Sequence, residues 1–234
     1  KGDDRDLSQL VLFDPETLKE EFVESDPMKR VDFGDAAISE VSREIIFTSY
    51  EDEKERLYFK DKSYEADYNL IKKELPGVEF YFSRPTADER FWIIGAYSDV
   101  DPGTTYLYDR MTKKLTFQYK PRPNIPVKDM APMTAIRYKS SDGLEIPAYL
   151  TLPKGVEAKN LPLIVMPHGG PWGRSGWGFN SYAQFLANRG YAVLDPNFRA
   201  STGYGKKFID AGNNEWGQKM QDDITWGVKY LVDQ

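Results

Sequence analysis

Cysteine is absent from the 234 residues and histidine occurs once, at His168. The first absence excludes a disulfide framework, a thiolate nucleophile and a thiolate metal centre, and the second excludes a histidine-rich metal site. Long apolar runs are missing as well. "FWIIGAY" from Phe91 and "LPLIVMP" from Leu161 fall far short of the roughly 20 residues that span a bilayer, so a soluble chain without a membrane partner is expected. Neither sign of charge forms a long block. With 31 basic against 37 acidic residues and a net charge of -6, no nucleic-acid partner is expected. Lack of cysteine leaves the compartment open.

What is present is apolar content of 40%, with 14% aromatic, enough for a sizeable core in one large domain or two ordinary ones. The first half repeats itself. "REIIFTSY" from Arg43 and "RFWIIGAY" from Arg90 stand in register 47 residues apart. Asp14, Asp61 and Asp109 follow one another at 47 and 48 residues, each after an aromatic-rich run. "DPET" and "DRMT" share Asp and Thr. Val, Ile, Tyr, Phe and Thr alternate with polar residues between turn signals, which predicts several short strands per unit. A four-stranded unit at this period reads as a propeller blade. Residues 1–120 thus predict about two and a half blades, and the proline-rich 121–132, with "PRPNIP", a linker.

From residue 133 to residue 234 the pattern changes. Two strand-like runs flank "SSDG", a β-hairpin expectation. "LPLIVM" and "YAVLD" are continuous apolar runs suited to a parallel sheet covered on both faces. Between them Tyr182, Phe185, Leu186 and Arg189 recur at helical spacing, with Asn180 or Ser181 as the starting cap and Gly190 as the stop. A second helix is predicted from about Gly217 to Val232, striped by Met220, Ile224, Val228 and Leu231. Asp222 and Asp223 read as ordinary carboxylates on its surface.

At the carboxyl end of the first apolar strand stands "HGGPWGR", residues 168 to 174. A Gly-Gly pair there turns the backbone sharply and leaves N–H groups uncovered, as an oxyanion site requires. The reading of "GGPWGRS" as a phosphate loop fails. Three residues rather than four separate Gly169 from Gly173, and Arg174 stands where lysine is needed.

"HGGPWGR", "NFRASTGYGKKF" from Asn197 and "EWGQKMQDDITWGVKYLVDQ" from Glu215 together resemble the prolyl oligopeptidase family of serine peptidases, in its dipeptidyl-peptidase-like and acylaminoacyl-peptidase-like branches. The resemblance covers nearly the whole chain. It implies the C-terminal blades of a β-propeller followed by the N-terminal half of an α/β-hydrolase domain, and hydrolysis of short peptides through an acyl-enzyme without metal or organic cofactor. It also implies oxyanion stabilisation by the backbone of Gly170, with Gly169 and His168 shaping the turn. Ala200 departs from the family's usual Gly, which puts that loop's backbone angle in question. Trp172, Trp177, Arg199 and Tyr204 are candidates for the substrate cleft. Arg199 has a second role open to it, pairing with Asp222 or Asp223, and the aromatic rings can equally pack as loop.

The triad itself is not assignable in this sequence. No Gly-x-Ser-x-Gly occurs, and Ser175 in "GRSGWG" lacks the first glycine and follows the wrong strand. The resemblance places serine, acid and base beyond Gln234, so the chain by itself is expected to be inactive and to need the remainder of its polypeptide for order. An oligomer is left open. Two rival readings stand beside the peptidase: a carboxylester hydrolase, which uses a similar His-Gly-Gly turn, and a non-catalytic propeller module that binds partners.

Overall fold

The computed structural model of the chain describes residues 4–234. The first half folds into antiparallel sheets: the hairpin β1 (Leu10–Asp14) and β2 (Lys19–Glu24), the three strands β3 (Asp35–Ile38), β4 (Ile45–Glu51) and β5 (Glu55–Phe59), and the meander β6 (Glu79–Phe82), β7 (Phe91–Tyr97), β8 (Thr104–Asp109) and β9 (Lys114–Tyr119). The three repeated aspartates do the same work. Each ends or follows a strand and accepts the backbone N–H groups two and three residues on: Asp14 from Glu16 and Thr17 at 2.9 and 3.2 Å, Asp61 from Ser63 and Tyr64 at 2.7 and 3.3 Å, Asp109 from Met111 and Thr112 at 2.9 and 3.4 Å. The short carboxylate thus satisfies N–H groups that the reversal strips from the sheet.

After Asp14 and Asp109 the chain returns as a strand; after Asp61 it does not. Helix α1 (Lys62–Glu74) starts there with Asp61 as its N-cap, a correction to the all-strand reading. Tyr64, Tyr68, Ile71 and Leu75 recur at helical spacing and pack on Phe80, Trp92 and Tyr108 of the neighbouring sheet. Burying a side chain such as Ile71 contributes about 2 kcal/mol, which a polar fourth strand would forgo.

The three prolines of "PRPNIP" lie between β9 and a single 3-10 turn at Val127–Asp129. Beyond it, β10 (Met133–Lys139) and β11 (Glu145–Thr151) form the expected hairpin, and β12 (Leu163–Val165) runs parallel to β13 (Ala192–Pro196). One mixed sheet results, ordered β10-β11-β13-β12, with β11 and β13 antiparallel. Helices α2 (Ser181–Ala187), α3 (Lys206–Asp210) and α4 (Lys219–Val232) complete it. Asn180 caps α2 by accepting from Tyr182 and Ala183 N–H. α4 lies on β10 and β13, where a Cβ on Gly227 would come within 2.8 Å of the Tyr138 ring and Leu194. Among the described residues no helix is long and apolar enough to cross a membrane.

Tyr182 and Phe185, which recur at helical spacing, are 76% and 55% exposed, and the face of α2 turned inward is Ala183, Gln184 and Ala187. Gln184 exchanges hydrogen bonds with Ala131 N–H and C=O, tying the helix to the segment before β10. On α4, Asp223 is not a surface carboxylate but wholly buried.

Candidate functional site

Strand β12 ends with the Met166 N–H still donating to Leu194 O at 2.8 Å. Pro167 has no N–H to continue the ladder, and the chain enters His168-Gly169-Gly170-Pro171. Gly170 has φ 143°, and a Cβ there would lie 2.5 Å from Trp172 N, so only glycine fits. At Gly169 nothing lies within 4 Å of such a Cβ. Among the described residues no acceptor takes the N–H of Gly169 or Gly170, and both residues are exposed. Two donors at the carboxyl end of a parallel strand are therefore uncommitted, which suits them to a developing negative charge.

The turn is braced from the loop after β13. The His168 ring stacks on Phe198, centroids 4.7 Å apart, and its Nε2 lies 2.7 Å from Ser201 Oγ. Ser201 donates its own hydroxyl to Phe198 O at 2.6 Å, so His168 supplies the hydrogen of the Nε2 bond. Ser201 is fully buried. The pair has the spacing of a nucleophile and its base, but its protons are spent on holding the turn. Thr202 N–H adds a bond to Gly173 O at 2.9 Å.

Ser175 is committed too. Its hydroxyl donates to Asp195 Oδ1 at 2.5 Å, and its N–H to Asn197 Oδ1 at 2.7 Å. Burial pushes the Asp195 carboxyl up from its ordinary value, against the pull of the Ser175 hydrogen bond.

The four cleft candidates separate. Trp172 stands exposed beside the turn. Trp177 donates Nε1–H to Met133 O at 3.3 Å, lies under Lys54 Nζ at 3.7 Å, and with Tyr97 and Glu51 lines a cavity of about 370 Å³. Tyr204 packs inward on Phe208, its hydroxyl taken by Arg174 and Asn197. Arg199 takes the second of the two roles open to it, pairing with Asp223. Its side chain is 2% exposed and every donor group is held within the chain, by Asp223 at 2.7 and 2.9 Å and by Asp142 at 3.0 Å. Ala200 beside it takes φ 77°, the angle that the family's glycine would supply.

Arg174 was missed as a site residue. It lies in the quoted motif, but its backbone acceptors are Glu51 O and Asp52 O, at 2.9 and 3.0 Å, at the end of β4 and the start of the turn to β5. Backbone carbonyls more than a hundred residues away leave no trace in a motif.

Antiparallel sheets precede a mixed sheet covered by helices, with an open Gly-Gly turn at the end of its parallel strand β12. Residues 177–234 match the model of the prolyl oligopeptidase family, so this segment belongs to that family, as its motifs led one to expect. The chain is 41% identical over 182 residues to dipeptidyl aminopeptidase BIII of Pseudoxanthomonas mexicana, covering 74% of this chain and 26% of that protein. It is 28% identical over 255 residues to dipeptidyl peptidase family member 6 of Caenorhabditis elegans, covering 99% of this chain and 34% of the other. It thus spans about a quarter to a third of the length of these relatives. The fold is similar to part of the acylaminoacyl peptidase of Pyrococcus horikoshii, with TM-score 0.63 at 21% identity over 92% of this chain and 33% of the other.

Proposed function

We propose that the chain is part of a serine peptidase that hydrolyses short peptides through an acyl-enzyme. Residues 1–120 supply about two and a half propeller blades, 121–132 the linker and 133–234 the N-terminal part of an α/β-hydrolase domain preceding the nucleophile elbow. The recurrence of the aspartate-capped reversals supports the first assignment, and the order of the mixed sheet supports the last.

In this reading a serine Oγ adds to the peptide carbonyl while a histidine takes its proton. The carbonyl oxygen, now anionic, accepts from Gly170 N–H, with Gly169 and His168 shaping the turn. The amine then leaves with the proton, and water hydrolyses the ester. One oxyanion donor contributes about 3 to 4 kcal/mol to the transition state. In this reading the serine, histidine and aspartate of the triad lie outside these residues, which is supported by the burial of Ser201, the hold of Asp195 on Ser175 and the engagement of His168 with Ser201. The single observation that carries the proposal is the uncommitted Gly169 and Gly170 N–H pair at the end of β12.

The test is mass spectrometry of the protein that carries this chain after a fluorophosphonate probe, with hydrolysis of aminoacyl and dipeptidyl amides compared with simple esters. One adduct on a serine outside residues 1–234, with amide cleavage, is expected. An adduct on Ser175 or Ser201, or neither adduct nor amide cleavage, overturns the proposal; cleavage of esters alone makes the protein an esterase.

A further inference from the structure

We infer that Arg174 is a positioning residue which makes the shape of the Gly169–Gly173 turn depend on the seating of the antiparallel sheets. The inference rests on the reading of that turn as the oxyanion site. The Arg174 guanidinium reaches two separate parts of the molecule. Nη1 donates to Glu51 O at 2.9 Å, at the end of β4, and Nη2 to Asp52 O at 3.0 Å, in the β4–β5 turn. Nη2 also donates to Tyr204 Oη at 2.9 Å in the loop after β13, and the guanidinium lies 4.5 Å over that ring. Arg174 itself follows directly on Gly173, whose carbonyl is held by Thr202 N–H.

The local sequence is cut to fit this side chain. A Cβ on Gly203 would lie 2.5 Å from Arg174 Nη1, so the glycine clears the path of the guanidinium. The β4–β5 turn is in turn the place where the antiparallel sheets grip the mixed sheet: Tyr149 on β11 donates to Glu53 O at 3.0 Å, and Arg137 on β10 lies 3.6 Å from Asp52 Oδ1. The Arg174 side chain is only 10% exposed while the β4–β5 turn is seated. Lifting that turn away removes its two carbonyl acceptors and opens it to water, leaving Tyr204 as its hydrogen-bond partner and the end of the Gly-Gly turn without its tie to the antiparallel sheets. A planar fork that bonds two successive carbonyls and a hydroxyl transmits this geometry better than a single ammonium.

The test compares Arg174→Met, Arg174→Lys and the milder Tyr204→Phe with the unaltered protein that carries this chain. The readouts are hydrogen exchange at the Gly173 and Ser175 amides, which bond to Pro171 O and Asn197 Oδ1, and kcat and KM for an aminoacyl amide. R174M is expected to raise exchange at those amides about tenfold or more while α4 is unchanged. Its kcat should fall about 30- to 100-fold, as small misplacements of catalytic groups do, with KM within about threefold. R174K should recover part of both losses, and Y204F should show the exchange change in weaker form. Unchanged exchange in the turn overturns the inference, as does exchange rising equally across the mixed sheet, or a rise in KM alone, which would make Arg174 a substrate contact. If the unaltered protein neither takes a fluorophosphonate nor cleaves amides, the peptidase reading fails, and the exchange data still decide what Arg174 does.

Discussion

Asp223 on α4 and Arg199 in the loop after β13 form an ion pair of 2.7 Å in which the two side chains are 0% and 2% exposed. The carboxylate also accepts from Arg199 N–H and from Ser140 Oγ, at 2.9 and 2.5 Å. The loop they fix carries Ser201, which holds His168 and so the Gly-Gly turn.

Removing one member of a buried pair leaves the other charged and dry, at a cost of about 3 to 5 kcal/mol. Asp223→Ala should therefore lower unfolding stability by an amount in that range. Asp142→Ala, at a carboxylate about a third exposed, should cost no more than about 1 kcal/mol. Urea titrations of the two variants check the ranking, and equal losses would show that the buried pair is not the anchor of the loop.

Ala200 and Gly212 share one crowded point. A Cβ on Gly212 would lie 2.5 Å from the Ala200 Cβ and 2.6 Å from Met220 Cε. Gly212→Ala should destabilise by about 1 to 3 kcal/mol through overpacking. Ala200→Gly relieves a left-handed backbone at the expense of a buried methyl, two effects of about 1 kcal/mol each, so alone it should be nearly neutral. The double variant should regain about 1 kcal/mol of the Gly212→Ala loss. Strictly additive denaturation energies would refute the contact.

The sequence was most legible where a local rule acts alone. The Asp61 and Asn180 caps and the hairpin around "SSDG" all follow from residues within a few positions of each other, and β12 and β13 are each a short continuous apolar run. The Gly-Gly turn was legible for the same reason, since its shape is set by Gly170 and the prolines beside it. Burial on long-range faces was not. The stripe of Tyr182 and Phe185 has the right period for a buried helix face, yet α2 turns Gln184 inward because Ala131, more than fifty residues earlier, offers it both a donor and an acceptor. Asp223 looks like any surface acid until Arg199 and Ser140 are brought to it by the sheet. Periodicity locates a face, but which face is buried depends on partners that periodicity does not contain.

Stability should fall as the medium is made acid, and Asp26 is a main reason. Burial alone would raise its carboxyl, but hydrogen bonds from the Arg56 guanidinium and from the Arg30, Met28 and Val31 N–H groups outweigh it and hold the group well below the usual carboxylate range. A group whose folded value is depressed adds stability above its unfolded value, near 3.9, and loses it as pH falls toward the folded one. The urea midpoint should thus be flat above about pH 5 and drop below pH 4. Asp26→Asn should lower stability at neutral pH and make the acid limb shallower. An acid limb as steep in the variant as in the parent would assign it to other carboxylates, such as Asp142, which Arg199 depresses in the same sense.

The sharpest contrast lies between two adjacent glycines. At Gly170 an added methyl meets Trp172 N at 2.5 Å on a backbone of φ 143°, whereas at Gly169 it enters open space at an ordinary angle. Gly170→Ala must therefore swing its own N–H off line. In the protein that carries this chain kcat should fall by about 100- to 1,000-fold, the loss seen when one oxyanion donor is removed, with KM little changed. Gly169→Ala should keep kcat within about threefold, because its shaping role does not require a missing Cβ. Both residues are exposed, so neither variant should shift the melting temperature by more than a few degrees. Steady-state kinetics on an aminoacyl amide decides the matter: equal losses at the two positions would mean that the turn needs its bareness on both residues, and no loss at Gly170 would remove it from the oxyanion site.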